Sequence, residues 1–513
     1  MITDTTDASA TVDASNSVSN SGGDDDPSTT SPAYRRMEGK WRTCRAVLEG
    51  TDAIRAGGIL FLPMLPGESD KFYEIRKGMS KLLNGFERTI RAAMGLVFQH
   101  DPVLGADVDP KLRADCENID LEGNHIDVWA KDLFQDGETV GFGAVLAEYP
   151  RVTDPARLSA GEEADGGLRP YLLAIKAEDI LYPQSTRING RKVLTQITIR
   201  EHTIVPVGRF GWRAATRYRV YFLDGSRVRY ELWTVPEDGG AARIEDVARD
   251  TGVIENQTEI PISPLLLGTK LGPWERKPPA YDLAQLNLQH HRVSTGLYYL
   301  QELAFVPTPW RKNGPIIETL ADGTPVYAPL ILGVQGTIEI PTDGEVGYLS
   351  PDVSIAAPGA ESITRIERQM DAAGLAFLAT DTRAAQTAEG KRIDAAAQYG
   401  GLAADARALG DCLEQSLGFM ANYRKLPFQR GGSLTINRDF EQRVIDAGLI
   451  AAYSNMESAG QLDLDTLWNI MEQGQALPAG FDREKMRRAI LARGMDVIAN
   501  PVASDPTLLA AAP

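Results

Sequence analysis

Between residues 361 and 423 the apolar positions fall into two helical series separated by a polar interval. Ile363, Ile366, Met370, Ala373 and Phe377 recur at steps of three and four, which places them on one stripe of a helix predicted over 361–378. A second, Ala-rich helix follows Thr387-Ala388-Glu389 and carries Leu402, Leu409, Leu413, Leu417 and Met420. Between the two lies Ala379-Thr380-Asp381-Thr382-Arg383-Ala384-Ala385-Gln386, too polar for a core and too short to join independent domains. The pattern predicts a loop held out by two helices.

Another helix is predicted over 280–305. Leu283, Leu286, His290, Val293, Leu297, Leu300 and Ala304 keep helical spacing, and Pro307 and Pro309 stop the run. About 25 residues of helix span roughly 37 Å. The pattern alone leaves a rigid strut and an ordinary core helix equally open. A third helix is predicted over 72–98, with Ile75, Met79, Leu82, Leu83, Phe86, Ile90 and Met94 as its buried face. Residues 137–146 read as a glycine-rich turn feeding a buried strand. Gly141 and Gly143 lack the third glycine and the Lys-Ser/Thr pair that a phosphate cradle needs.

Residues 191–260 read as antiparallel sheet. Tyr218, Val220 and Phe222 alternate with Arg217, Arg219 and Tyr221, and Asp224-Gly225 separates them from Val228, Tyr230 and Leu232 as a hairpin turn would. The arginine face reads as solvated. Short strands are expected at 325–327, 336–340 and 346–349, between the long helical regions. Near the end, Asp465 is expected to cap a helix over 466–473 and Asp482 one over 483–493.

Composition narrows the function classes. The 513 residues suffice for about three units of ordinary domain size, and the apolar and charged fractions, 43% and 24%, are those of a soluble globular protein. A formal net charge of −17 argues against wrapping nucleic acid on a basic surface. It leaves room for a conduit in which an acidic wall keeps a phosphate backbone from sticking, over a screening length of about 8 Å at physiological salt. The residues before Tyr34 hold six Asp and no Lys, Arg or Glu, so a disordered acidic tail is expected there. No secretory leader pattern is present, and the longest uncharged apolar candidate for a span, 323–338, is short and interrupted by Pro325, Pro329, Gly333 and Gly336. No membrane association is expected.

Little catalytic material is visible. Cys44, Cys116 and Cys412 show no paired spacing, so neither disulfides nor zinc are indicated and a reducing compartment is the natural reading. The histidines, His100, His125, His202, His290 and His291, form no His-Glu-x-x-His arrangement; the adjacent His290 and His291 point to different sides of a helix, in packed or surface roles. No serine nucleophile elbow occurs, and Gly390-Lys391 lacks the rest of a P-loop. Asp463 and Asp465 begin like a calcium loop but Leu467, Trp468 and Asn469 follow, so they read as cap residues. No cofactor, no metal and no enzymatic activity are expected.

The order of several segments resembles the portal proteins of tailed bacteriophages. These segments are Arg88-Thr89-Ile90-Arg91-Ala92-Ala93-Met94-Gly95-Leu96-Val97-Phe98, Gly141-Phe142-Gly143-Ala144-Val145-Leu146-Ala147-Glu148-Tyr149-Pro150, Arg169-Pro170-Tyr171 and Ala177-Glu178-Asp179-Ile180. Pro278-Pro279-Ala280-Tyr281-Asp282-Leu283-Ala284-Gln285-Leu286-Asn287 and Thr387-Ala388-Glu389 complete the series. No motif is specific singly; their succession over 70–440 carries the resemblance, and the two ends match nothing.

The resemblance implies an α+β portal-type fold assembled as a ring of about twelve identical subunits. It implies a disordered acidic tail at 1–33, an α/β wing with antiparallel sheet at 34–279, and a stem helix at 280–305. Clip and returning wing strands would occupy 306–360, tunnel helix and loop 361–386, a helical crown 387–495 and a flexible tail 496–513. Such rings sit at one capsid vertex of the virion, where DNA is packaged, the tail is attached and the genome is ejected. The implied partners are further copies of the chain, double-stranded DNA, the capsid protein, a terminase motor and a head-tail adaptor. Thr380, Thr382, Arg383 and Gln386 are the side chains expected to face DNA, with Arg383 the loop's only cation and Asp381 offsetting it. Two other readings stay open at this point: an acidic intracellular metal-dependent hydrolase, and a non-viral oligomeric scaffold.

Overall fold

The computed structural model describes residues 26–150, 168–236, 239–305, 308–327, 342–349, 356–374, 388–440, 447–473, 477 and 481–499. They are a mixture of helix and antiparallel sheet and divide into two units, one ending at Arg438 and the other beginning at Asp439. Most of the sequence expected to be an acidic tail, 1–25, lies outside the described residues, as do strand 336–340 and residues 500–513.

Helix α1 (Pro32–Glu49) begins where the Ser31 hydroxyl accepts the Tyr34 N–H and Pro32 supplies a φ suited to a first turn. Tyr34, Met37, Trp41 and Cys44 then fall on one buried face. α2 (Thr51–Gly57) follows directly. The single helix expected over 72–98 is instead two, α3 (Asp70–Met79) and α4 (Gly85–Val97). Side chains from elsewhere satisfy the backbone between them. Arg55 donates twice to Ser80 O, at 3.1 and 2.6 Å, and Thr51 Oγ1 accepts the Leu82 N–H. Asn84 caps α4 through the Glu87 N–H, while Asn287, from far along the chain, accepts the Phe86 N–H at 3.0 Å and donates to Leu83 O at 2.6 Å. In consequence Leu82, Phe86, Ile90 and Met94 are buried as expected, whereas Ile75 and Leu83 are exposed.

After strand β1 (Val103–Leu104) and helix α5 (Pro110–Asp115), helix α6 (Ile126–Val140) ends at Gly141 in the left-handed region, φ 78°. A Cβ there would lie 3.0 Å from Pro278 Cα, so the close approach of the two backbones requires glycine. The expected glycine-rich turn therefore narrows to this residue, since Gly137 lies inside α6. Strand β2 (Phe142–Glu148) follows, buried from Phe142 to Ala147, and is the centre of an antiparallel sheet flanked by β3 (Tyr171–Lys176) and β9 (Ile262–Leu266).

Between β3 and β9 runs a five-stranded meander: β4 (Ile180–Ile188), β5 (Arg191–Val207), β6 (Gly211–Asp224), β7 (Arg227–Thr234) and β8 (Thr251–Ile254), paired in chain order. The expected hairpin is present, with Asp224 opposite Arg227 and Gly225 at φ 65°. Its arginine face is not simply solvated. Arg219 keeps only 12% of its side-chain surface exposed, held by Glu148 and, at 2.5 Å, by Glu201 Oε1. A cation this buried is tolerable because two carboxylates and the Tyr221 hydroxyl at 3.3 Å surround it. Trp41 stacks on Phe142, and Phe142 meets Trp274 edge-on, so one core joins α1 to both sheets.

Next come the short hairpin β10 (Thr269–Gly272) with β11 (Glu275–Lys277) and the long helix α7 (Tyr281–Phe305). β12 (Thr308–Lys312) pairs with β15 (Glu345–Leu349), and β13 (Ile316–Thr319) with β14 (Pro325–Tyr327). Helices α8 (Ala356–Ala373) and α9 (Ala388–Tyr423) follow, and β16 (Leu434–Thr435) returns to pair with β1.

The second unit holds α10 (Ala447–Ser458), α11 (Leu464–Gln473) and α12 (Arg483–Ala499). Asp482 accepts the Lys485 N–H as expected. The other cap is Asp463, which accepts the Thr466 N–H; Asp465, one residue inside the helix, instead pairs with Arg487.

Asn287→Leu deletes an acceptor that the N–H of fully buried Phe86 cannot replace. A loss of about 1–3 kcal/mol of stability is expected in urea unfolding; a midpoint unchanged from wild type would show that the break between α3 and α4 does not depend on this amide.

Candidate functional site

The region singled out by the sequence is framed by α7, α8 and α9. Toward its start α7 buries Leu283, Ala284, Asn287, Leu288, His290, His291, Ser294 and Thr295. This face is turned from the expected stripe, so that Leu286, Val293, Leu297 and Leu300 are only half-buried. The buried face is largely polar. Asn287 uses its amide on the backbone before α4, and His290 Nε2 lies 3.2 Å from Glu367 Oε1 on α8.

Three contacts fix the register of α7 against α8. A Cβ built on Gly359 would lie 3.1 Å from Leu297 Cδ1, His290 meets Glu367, and a Cβ on Gly374 would lie 3.6 Å from Leu283 Cδ2. Numbers rise on one helix as they fall on the other, so the pair is antiparallel. Ile366 and Met370, continued by Gly374 just past the helix end, form a buried line at steps of four. Ala373, expected in that line, is exposed because the step of four brings Gly374 to the contact instead, and Phe377 lies outside the described residues.

The opposite face of α8 exposes Glu361, Thr364, Arg365, Arg368, Gln369, Asp371 and Ala372. Its two acids and two bases balance. Thr380, Thr382, Arg383 and Gln386 all lie outside the described residues, so the structure describes the helices on either side of that segment and not the four side chains themselves.

Helix α9 is anchored along its second half. The five leucine and methionine positions expected to be buried, Leu402, Leu409, Leu413, Leu417 and Met420, all are. Asp405 accepts the Gly268 N–H at 3.1 Å, Cys412 donates to Ser263 O at 3.4 Å and Gln257 donates to Phe419 O at 2.9 Å. Just past the helix, Arg424 grips Asp115 through two contacts of 2.9 and 2.6 Å. Glu138 of α6 faces this helix. Burial, reinforced by the charge of Asp405, holds its carboxyl well above the usual range, so Glu138 is protonated where an exposed glutamate would be ionised.

His291 is fully buried and neither ring nitrogen has a hydrogen-bond partner. Burial, followed by Arg292, His290, Arg55 and Arg76, pushes its imidazole down to about 4. The two adjacent histidines thus take packed roles in a polar interface. Asn287, Glu367, Arg365 and Arg368 were not singled out by sequence reasoning for these roles. The 3–4 spacing of Asn287, His290, His291 and Ser294 was the available signal.

The three cysteines are free and buried. Among the described residues no three His, Cys, Asp or Glu side chains gather into a metal-binding group, and no helix is long and apolar enough to cross a membrane.

A family model described as "Domain of unknown function (DUF4055)" matches residues 279–424, the stretch from the start of α7 to the end of α9. No curated protein matches the chain. Among solved structures, a chain in the virion of a native gene transfer agent particle is similar at 12% identity, over 86% of this chain and 98% of that one, with a TM-score of 0.34. A chain in the neck of the native particle, computed with C12 symmetry, is similar at 12% identity, 75% and 88% coverage and a TM-score of 0.33. One in the neck of the empty particle, computed with C6 symmetry, shows 14% identity, 84% and 99% coverage and a TM-score of 0.35.

The buried imidazole generates a pH dependence of defined sign. The unfolded chain takes up this proton near pH 6.5 and the folded chain only near 4, so the contribution is complete above 6.5 and is lost as pH falls toward 4. Urea midpoints measured from pH 7 to pH 4.5 should fall less steeply for His291→Leu than for wild type; parallel curves would contradict a neutral, unpartnered His291.

Proposed function

We propose that the chain is a portal-type subunit, copies of which close into a ring around a channel for double-stranded DNA in a virion, without catalysis by the chain itself. The observation that carries this reading is the set of large apolar side chains left exposed along the chain between α7 and α8. Trp310, Ile316, Ile317, Leu320, Tyr327 and Tyr348, on the two small ladders there and the turn beside them, are all exposed in the single chain. Large apolar side chains left exposed together along one stretch of chain mark protein contact surfaces. A head-to-tail contact repeated about an axis buries such a surface on every copy and closes into a ring.

The succession of portal-like segments in the sequence supports the same reading, as does the polar face of α8. Repeated around an axis, that face and the segment after it would meet a duplex at one height through many weak contacts that carry no sequence information. Its equal numbers of acids and bases suit passage, because a strongly basic lining would bind phosphates too firmly to let them slide. In this reading 34–279 is wing, α7 stem, the small ladders clip, α8 the tunnel helix, 379–386 the tunnel loop and the following helices crown. Capsid protein, terminase and head-tail adaptor are the further partners.

Native mass measurement of the purified chain should give a closed oligomer at micromolar concentration; a monomer at every concentration contradicts the ring. Arg383→Glu should leave that mass unchanged while particles carrying it retain less DNA. Normal genome content in such particles would remove Arg383 from the channel.

A further inference from the structure

Helix α9 carries glycines of different kinds. A Cβ on Gly418 would lie 2.4 Å from the Phe428 ring, and Gly431 packs against the Gly418 backbone, so close approach requires glycine there. A Cβ on Gly410 would meet Leu434 O at 3.7 Å, an ordinary contact. Gly400 and Gly401 differ from both. They are adjacent and exposed, they lie inside the helix, and a Cβ on either would have nothing within 4 Å. Within the chain, neither packing nor backbone conformation calls for glycine at these two positions.

Glycine is the poorest helix former after proline, because it gives up the widest backbone freedom on entering a helix. Two in succession make one weak step in a sequence that otherwise favours helix, since Ala395, Ala396 and Ala397 precede them and Leu402, Ala403 and Ala404 follow. The weak step falls at a boundary. From Leu402 onward α9 is buried at Leu402, Ala406, Leu409 and Leu413. Asp405 accepts the Gly268 N–H, Cys412 donates to Ser263 O, and Glu414 accepts the Leu434 N–H at 2.9 Å. These contacts hold the second half of the helix to β9, to the turn after it and to β16. The glycine pair lies directly before the first of them.

We infer that Gly400 and Gly401 form a hinge, about which the first half of α9, 388–399, changes direction while the second half stays fixed on the sheets. Sharp bends in helices gather at proline and at pairs of small residues, and a hinge absorbs its φ/ψ change in a few residues beside a part that is held. The helix is continuous across the pair in this structure. Its unbent setting is thus a formed state, and the glycines lower the cost of leaving it. The other use of exposed glycines is to let a second copy approach closely, which would make them a contact and not a hinge. The hinge itself does not depend on the ring reading.

Spin labels on Lys391→Cys and Thr269→Cys in the full-length chain report the first half of α9 against the turn that Asp405 holds; labels on Asp411→Cys and Thr269→Cys report the second half. The native cysteines are buried, and dilution with unlabelled chain keeps each distance within one copy. Residue 391 lies about 14 Å along the helix from the pair, so a swing of about 20° moves it by roughly 5 Å. The 391–269 distance distribution should be broader than the 411–269 one by about that amount, and Gly400→Ala with Gly401→Ala should narrow it to match. Equal widths in the unsubstituted helix, or a 391–269 width that the alanines leave unchanged, overturn the hinge. Native mass is measured in parallel. An oligomer lost in the alanine pair with distances unchanged assigns the glycines to a contact between copies and also overturns the hinge. Narrowing in a chain that stays monomeric throughout sustains the hinge and removes the ring.

Discussion

Backbone groups that leave a helix inside a protein have to find partners out of water, and in this molecule the amide of Asn287 meets that demand for the segment before α4. Because Asn287 sits in α7, satisfying the α3 to α4 break also fixes where α7 crosses the helical layer. From that point the rest of the helical frame follows. α8 lies antiparallel on α7 through Leu297, His290 and Leu283, and its polar face is left pointing away from the contact. Met370 reaches back toward Gly85 at the start of α4, so the same junction receives both helices.

Burial of charge sets a second constraint. Arg219 is held among carboxylates, burial pushes the Glu138 carboxyl well above its usual range, and burial pushes the His291 imidazole down to about 4. These groups sit where helices meet sheets or other helices, and each would be costly to expose to a changed protonation state without rearrangement. Their pH dependences oppose one another. Glu138 binds its proton more tightly in the folded chain and so loses its contribution as pH rises from about 4.5, whereas His291 loses its contribution as pH falls from about 6.5. Stability near neutrality therefore reflects a compromise between the α6 to α9 contact and the buried face of α7.

Strong periodicity was legible in the sequence. The extent of α7, the buried leucines of α9 and the hairpin at Gly225 all follow from spacing and turn chemistry. Where sequence reasoning missed, long-range hydrogen bonds had decided the outcome. Residues 72–98 have the apolar spacing of one helix, and nothing local announces that Arg55, Thr51 and Asn287 will claim the backbone at 80–86. The arginines of β6 look solvated by alternation, and only the sheet pairing brings Glu148 and Glu201 to Arg219. Thr380, Thr382, Arg383 and Gln386 rest on sequence alone, while the polar face of α8 beside them emerged only once its register on α7 was known.

The central claim is that this face of α8 lines an axial opening shared by many copies. A heavy-atom label on Arg368→Cys, viewed end-on by electron microscopy of the purified assembly, tests it most directly, since the native cysteines are buried. The account predicts a closed ring with the label projecting at the rim of its central hole. Label density at the outer edge of the ring, or assemblies with no axial hole, would contradict it.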